Sequence, residues 1–136
     1  MPLDRRNIQP PTVPLRRVDG HVLYSHVVSV TSGRFIFISG QLSRDSTGAV
    51  VGVGDMAAQI AQVGQNIEAC LAAAGASLAD LVRTTTYTTD IEEYFKHVEV
   101  RMRYFGSGMP TSTTVEVRRL SHSDFLVEVE GLAVIE

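Results

Sequence analysis

The hydrophobic period of this chain changes partway along it, and that change sets the order of its elements. From Val22 to Val30 the residues are apolar and β-branched. Thr31, Ser32 and Gly33 then read as a turn, and Phe35 to Ile38 as a second strand ending at Ser39-Gly40. This pattern predicts a β-hairpin. Gln41 to Gly54 reads as loop, with Asp45-Ser46-Thr47-Gly48 as its turn. Then the period lengthens. Met56, Ile60, Val63, Ile67 and Leu71 recur at spacings of four and three, one face of an amphipathic helix. Asp55 suits its start, because a carboxylate accepts the unpaired N–H groups of a first turn. Gly75 suits its end. Gly64 inside it costs about 1 kcal/mol relative to alanine, which a close helix–sheet contact at that point would explain.

Leu81 to Thr88 has the residue types of a strand. Asp90 and Glu93 then form a capping-box-like start to a second helix. Its expected buried stripe is Ile91, Tyr94, Phe95, Val98, Met102 and Phe105, and Gly106-Ser107-Gly108 ends it. Strands are predicted over Ser112 to Arg118 and Phe125 to Ile135. The order β-β-α-β-α-β-β describes an α+β domain, a mixed or antiparallel sheet with two helices on one face. Residues 21–136 form this domain, and residues 1–20 read as an extended arm broken by Pro2, Pro10, Pro11 and Pro14. The arginines of the arm, Arg5, Arg6, Arg16 and Arg17, read as solvated or as reaching a neighbouring subunit. In the last strand Val127, Val129 and Gly131 alternate with Leu126, Glu128, Glu130 and Leu132, so neither face is cleanly polar. A sheet uncovered on one side must be polar there or buried by a partner. We therefore expect an oligomer packed sheet against sheet.

With 136 residues, 44% of them hydrophobic, the chain can bury one core. A formal charge of -3 argues against a dedicated nucleic-acid binder. No apolar run approaches the ~20 residues of a membrane span. The single cysteine, Cys70, forms no intrachain disulfide and fits a cytoplasmic protein. Four scattered histidines lack metal-ligand spacing, so no metal site is expected. The glycines from Gly48 to Gly54 lack the strand–turn–helix setting of a phosphate loop.

Several segments, in order, carry a resemblance. They are Ile38-Ser39-Gly40-Gln41, Gln65-Asn66-Ile67, Ala74-Gly75-Ala76, Asp80-Leu81-Val82, Thr84-Thr85-Thr86-Tyr87, Pro110-Thr111-Ser112, Val115-Glu116-Val117 and Val127-Glu128-Val129-Glu130. From about Tyr24 onward the chain resembles the RidA/YjgF (endoribonuclease L-PSP) family. The resemblance implies a chorismate-mutase-like fold, a homotrimer, and clefts between subunits. Its best-known members hydrolyse enamines and imines of amino-acid metabolism to a 2-oxo acid and ammonia, with no metal or organic cofactor. By the same resemblance Glu128 is the catalytic residue, which positions water or handles a proton, while Tyr24, Gly40, Ser112 and Thr114 stand at substrate-binding positions. The family's carboxylate-clamping arginine falls on Ser112, a frequent cysteine on Thr114, and an asparagine of some members on Val98.

The residues admit plainer roles as well. Ser112, Thr114 and Glu116 share one strand face. Their hydroxyls can bond a carbonyl or amide but lack the charge of an arginine. Glu128 among apolar neighbours should be partly desolvated, which raises its pKa; otherwise it pairs with Arg83, Arg118 or Arg119. Tyr24 closes a cleft or packs at a subunit boundary. Cys70 reads as core, Arg101 and Arg103 as a solvated helix face. Arg118 shares the Ser112 face and is a distant candidate for the missing cation.

Three functions compete at this stage. One is a hydrolase of the deaminase type, acting on an imine, enamine or related small metabolite but not on the standard 2-imino acids. The second is a non-catalytic metabolite-binding or regulatory trimer. The third, ribonuclease activity, is disfavoured by the acidic balance and the lack of a basic, aromatic-studded face.

Overall fold

The computed structural model describes residues 2–136. Its central sheet has four strands in the order β5-β8-β6-β7. They are β5 (Arg34–Gln41), β6 (Leu81–Thr88), β7 (Thr111–Glu116) and β8 (Val127–Ile135). β8 runs antiparallel to both neighbours, and β6 and β7 are parallel, so the sheet is mixed. One face is covered by helix α1 (Met56–Ala73) and by α2 (Ile91–Phe95) with α3 (Val98–Phe105).

α1 forms where its period requires. Asp55 accepts from the Ala58 backbone N–H at 3.1 Å, and Met56, Ile60, Val63, Ile67 and Leu71 are all buried. They pack on Ile36 and Ile38 of β5 and on Val127, Val129 and Ala133 of β8. Gln59, fully buried in the same helix, ties α1 to the start of β8. It donates to the carbonyls of Gly52 (3.0 Å) and Asp124 (2.7 Å) and accepts from the Leu126 N–H (2.8 Å). A buried amide is tolerable only with partners of this kind. Gly64 does answer a close contact, but with a helix and not with the sheet: a Cβ there would overlap the Tyr104 ring of α3.

Three expectations need correction. First, the hairpin does not form. β4 (Val27–Val30) pairs with β1 (Arg5–Ile8), and β5 pairs with β8. Residues expected in one long strand from Val22 split into the short β3 (His21–Val22), paired with β2 (Arg17–Val18), and an irregular stretch before β4. Second, the N-terminal segment is extended but tied down. Arg5 donates to the carbonyls of Ala79 and Leu81, both at 2.8 Å, and to that of Gly108. Arg5 is therefore a structural cross-link, while Arg6 meets only exposed Asp4. Third, the second helix is broken at Lys96 and His97. Glu93 gathers both side chains, Lys96 Nζ and His97 Nε2 each at 3.1 Å, and His97 leaves helical geometry with ψ 40°.

The second helical region buries Tyr94, Val98, Arg101 and Phe105. Met102, expected in that row, is only half-buried, and Arg101 takes its place.

Candidate functional site

Strand alternation divides the sheet into two unlike faces. Thr84, Thr86 and Thr88 of β6 are buried toward the helices. Arg83, Thr85 and Tyr87 point to the open face. By register, Ser112 lies beside Thr84 and Thr114 beside Thr86, so both join the helix side. Glu128 lies beside Tyr87 and belongs to the open face.

The helix-side residues border a groove of about 140 Å³ at the β7 edge. It brings together Tyr24, Ser112 and Thr114, three of the residues expected from sequence. Arg16, Phe95 and Arg101 join them. Arg101 is only 3% exposed. It donates to the Leu23 carbonyl at 2.8 Å and to Ser112 Oγ at 3.2 Å. The α3 residue Arg101 thus sets a guanidinium directly beside Ser112. This corrects the assignment of Arg101 to a solvated face; Arg103 is exposed as expected. Arg118 lies beyond the end of β7 and outside the groove. Arg16 stacks over the Phe95 ring, 4.7 Å from its centroid, and its backbone N–H donates to Tyr24 Oη at 3.1 Å. Glu116, on the same strand face, accepts the Ile91 N–H at 3.1 Å and so caps α2.

The other two residues meet on the open face. A Cβ placed on Gly40 would stand 2.5 Å from Glu128 Oε1, so the carboxylate rests on bare backbone. Burial pushes the Glu128 carboxyl above its ordinary pKa, and the nearby Glu130 charge adds to the rise. Among the described residues Glu128 has no ion pair, with Arg83, Arg118 and Arg119 included. Glu130 instead accepts from Tyr87 Oη at 2.8 Å, a bond that raises the Tyr87 phenol. Beside them Phe35 is 59% and Phe37 77% exposed. Phe37, Arg83, Thr85, Glu130 and Leu132 line a depression of about 340 Å³.

The expected residues of one chain therefore fall into two groups on opposite faces of its sheet. Among the described residues no three His, Cys, Asp or Glu side chains converge as metal ligands would. No helix there is long and apolar enough to cross a membrane.

A family model described as endoribonuclease L-PSP matches residues 16–135, nearly the whole fold just described. The chain belongs to the RidA/YjgF family. Within that family, a RutC family protein of Pyrococcus horikoshii is 42% identical over 109 residues, 79% of this chain and 85% of that protein. A 2-iminobutanoate/2-iminopropanoate deaminase of Salmonella typhimurium is 33% identical over 113 residues, 80% of this chain and 86% of that enzyme. Among solved structures, the Rid-family protein YyfB of Yersinia pestis, described as of unknown function, superposes with a TM-score of 0.83. It is 31% identical, with 96% of this chain and 98% of that one covered. The RidA fold and its single α+β domain are thereby established for this chain.

What sequence reasoning missed in this RidA-type chain were the two arginines. Arg101 carried a signal: Tyr94, Val98, Arg101 and Phe105 follow helical spacing as well as the row containing Met102. Arg16 carried none, because its position depends on how a proline-rich segment folds back.

Proposed function

We propose that this protein is a hydrolase of small imines or enamines, working in clefts between the subunits of a homotrimer. The observation that carries this reading is the split of the five expected residues. Tyr24, Ser112 and Thr114 line one face of the sheet, Gly40 and Glu128 the other. A cyclic trimer joins unlike surfaces head to tail, so the groove of one subunit can meet the Glu128 face of the next. The exposed Phe35 and Phe37 support burial of the open face. The deaminase of Salmonella, at 33% identity, supports the reaction class.

In this reading a water adds to the carbon of the C=N bond while the nitrogen gains a proton. The C–N bond of the resulting amino alcohol then breaks, ammonia leaves and a carbonyl remains. Glu128 is the group for the proton transfers: its raised pKa brings it closer to the working pH, where a carboxyl can both give and take a proton. Gly40 keeps side-chain bulk away from it. No cofactor is required by this chemistry.

Ser112 replaces the charge that the family places on β7, so the substrate differs from the standard 2-imino acids. The test is ammonia release from imines generated in situ by amino-acid oxidases. Imines of alanine and 2-aminobutyrate should be turned over poorly. Fast turnover of both would overturn the claim that Ser112 changes specificity. Ligand-induced stabilisation with no ammonia from any imine would replace the hydrolase with a binding trimer.

A further inference from the structure

Among the described residues, Arg101 is the only charged side chain in the buried set. Its two oxygen partners, the Leu23 carbonyl and the Ser112 hydroxyl, are both neutral. It makes no ion pair among the described residues. Its remaining acceptor, the Met102 sulfur at 3.3 Å, is weak and also neutral. A buried guanidinium without an anion is costly, and its five N–H donors exceed these three neutral acceptors. No acidic side chain lines the groove it borders, in a protein of net charge -3; Glu116, further along the strand face, is engaged by the Ile91 N–H. A second guanidinium, Arg16, lies on the Phe95 face of the same groove and also lacks an ion pair. The two cations come from different elements. Arg101 is clamped in α3, whereas Arg16 is exposed and held only through its backbone and the ring.

From this we infer that the groove is a two-arginine anion site and that its ligand is a doubly charged small organic acid. One negative charge sits on Arg101 beside Ser112, and the second draws Arg16 from the Phe95 ring. A monocarboxylate would satisfy one guanidinium and leave the other without a counter-charge. For the reaction class this names an imine or enamine bearing a second acidic group, such as the imine of a dicarboxylic amino acid. That statement about turnover rests on the hydrolase reading above; the binding statement does not.

The experiment measures binding to the intact protein by calorimetry, at matched ionic strength. Dianionic probes are oxaloacetate, malonate and inorganic phosphate; monoanionic probes are pyruvate and 2-oxobutyrate. The dianions should bind at least about tenfold more tightly, as charge-assisted pairing to a second arginine implies. Arg16→Ala should erase most of that preference. Arg101→Gln should abolish both, and Arg101→Lys, which keeps the buried charge, should restore part of it. If oxaloacetate and malonate exceed phosphate, the second group is a carboxylate; the reverse order assigns a phosphorylated ligand. Equal binding of pyruvate and the dianions, or an unchanged ratio in Arg16→Ala, overturns the inference. Dianion binding without ammonia release leaves it standing and removes the hydrolase, and fast turnover of the alanine imine without dianion preference does the opposite.

Discussion

The groove beside β7 and the open face around Glu128 hold opposite charges by opposite means. In the groove, the charge is a buried side chain held by neutral acceptors, Leu23 O, Ser112 Oγ and the Met102 sulfur. On the open face, the charge is a carboxylate laid across bare backbone at Gly40, with no bonding partner among the described residues. Arg101 is positioned by its own chain. Glu128 has no such anchor, and the Phe35 and Phe37 rings on the same strand face are exposed. A fixed cation suits recognition; a carboxyl with a raised pKa suits proton transfer.

The largest expected effect separates the two roles. Glu128→Gln should lower ammonia release by about a hundredfold or more, the usual scale of general acid–base loss, with binding of the dianionic probes little changed. Co-expression with Arg101→Gln then tests whether the two faces meet across subunits. In a mixed trimer about one quarter of the clefts would pair an intact groove with an intact Glu128. Activity should return toward that fraction of wild type. A mixture as inactive as its parents would place both halves of the site within one chain.

Next is the stability of each construction. Arg101→Ala should destabilise the fold by about 2–4 kcal/mol, because it strands a buried carbonyl and leaves a cavity. Chemical denaturation measures it, and a loss below about 0.5 kcal/mol would mean that the guanidinium is not structurally held. Two glycines give a smaller contrast. Gly64→Ala drives a methyl into Cβ and Cγ of Tyr104, the root of the side chain, which a rotation of the ring alone does not clear. A net loss of about 1–2 kcal/mol should remain after the gain in helix propensity. Gly40→Ala meets the outer Glu128 side chain, from Cγ to Oε1, which is flexible and can swing away. Its stability should change by less than about 1 kcal/mol, while ammonia release falls sharply.

This contrast also explains which parts were legible in sequence. α1 was readable because Asp55, the apolar period and Gly75 agree locally. Strands β6 and β8 were readable from residue type. The partner of β4 was not, because it lies about twenty residues away in a segment rich in proline. Gly64 signalled a close contact but could not say with what. Arg101 was misread because charge outweighed spacing: position 101 fits the buried row, yet arginine is ordinarily a surface residue. Ser112 raised the expectation of a missing cation, and only the folded chain shows that the Arg101 guanidinium lies beside it.

The smallest effect is a pH dependence, and it tests whether the open face is covered. Burial, with help from Glu130, holds the Glu128 carboxyl above its ordinary value of 4.5 in the folded chain. Between the unfolded and folded pKa values the native state binds more protons than the unfolded one. Stability therefore falls as pH rises through that window and stays lower above it. Glu128→Gln removes the term, so the variant should be more stable than wild type at neutral pH and equal to it below the unfolded pKa. Glu93 works in the reverse sense. Its bonds to His97 and Lys96 lower its pKa, so its contribution is present at neutral pH and lost as pH falls through the folded value. If the open face is buried between subunits, Glu128 is drier in the oligomer than in a single chain. Phe37→Asp, which should split the oligomer, would then shrink the stability gain of Glu128→Gln. An undiminished gain in a demonstrably monomeric Phe37→Asp background would mean that the chain's own apolar surroundings, and not a neighbouring subunit, set the Glu128 pKa.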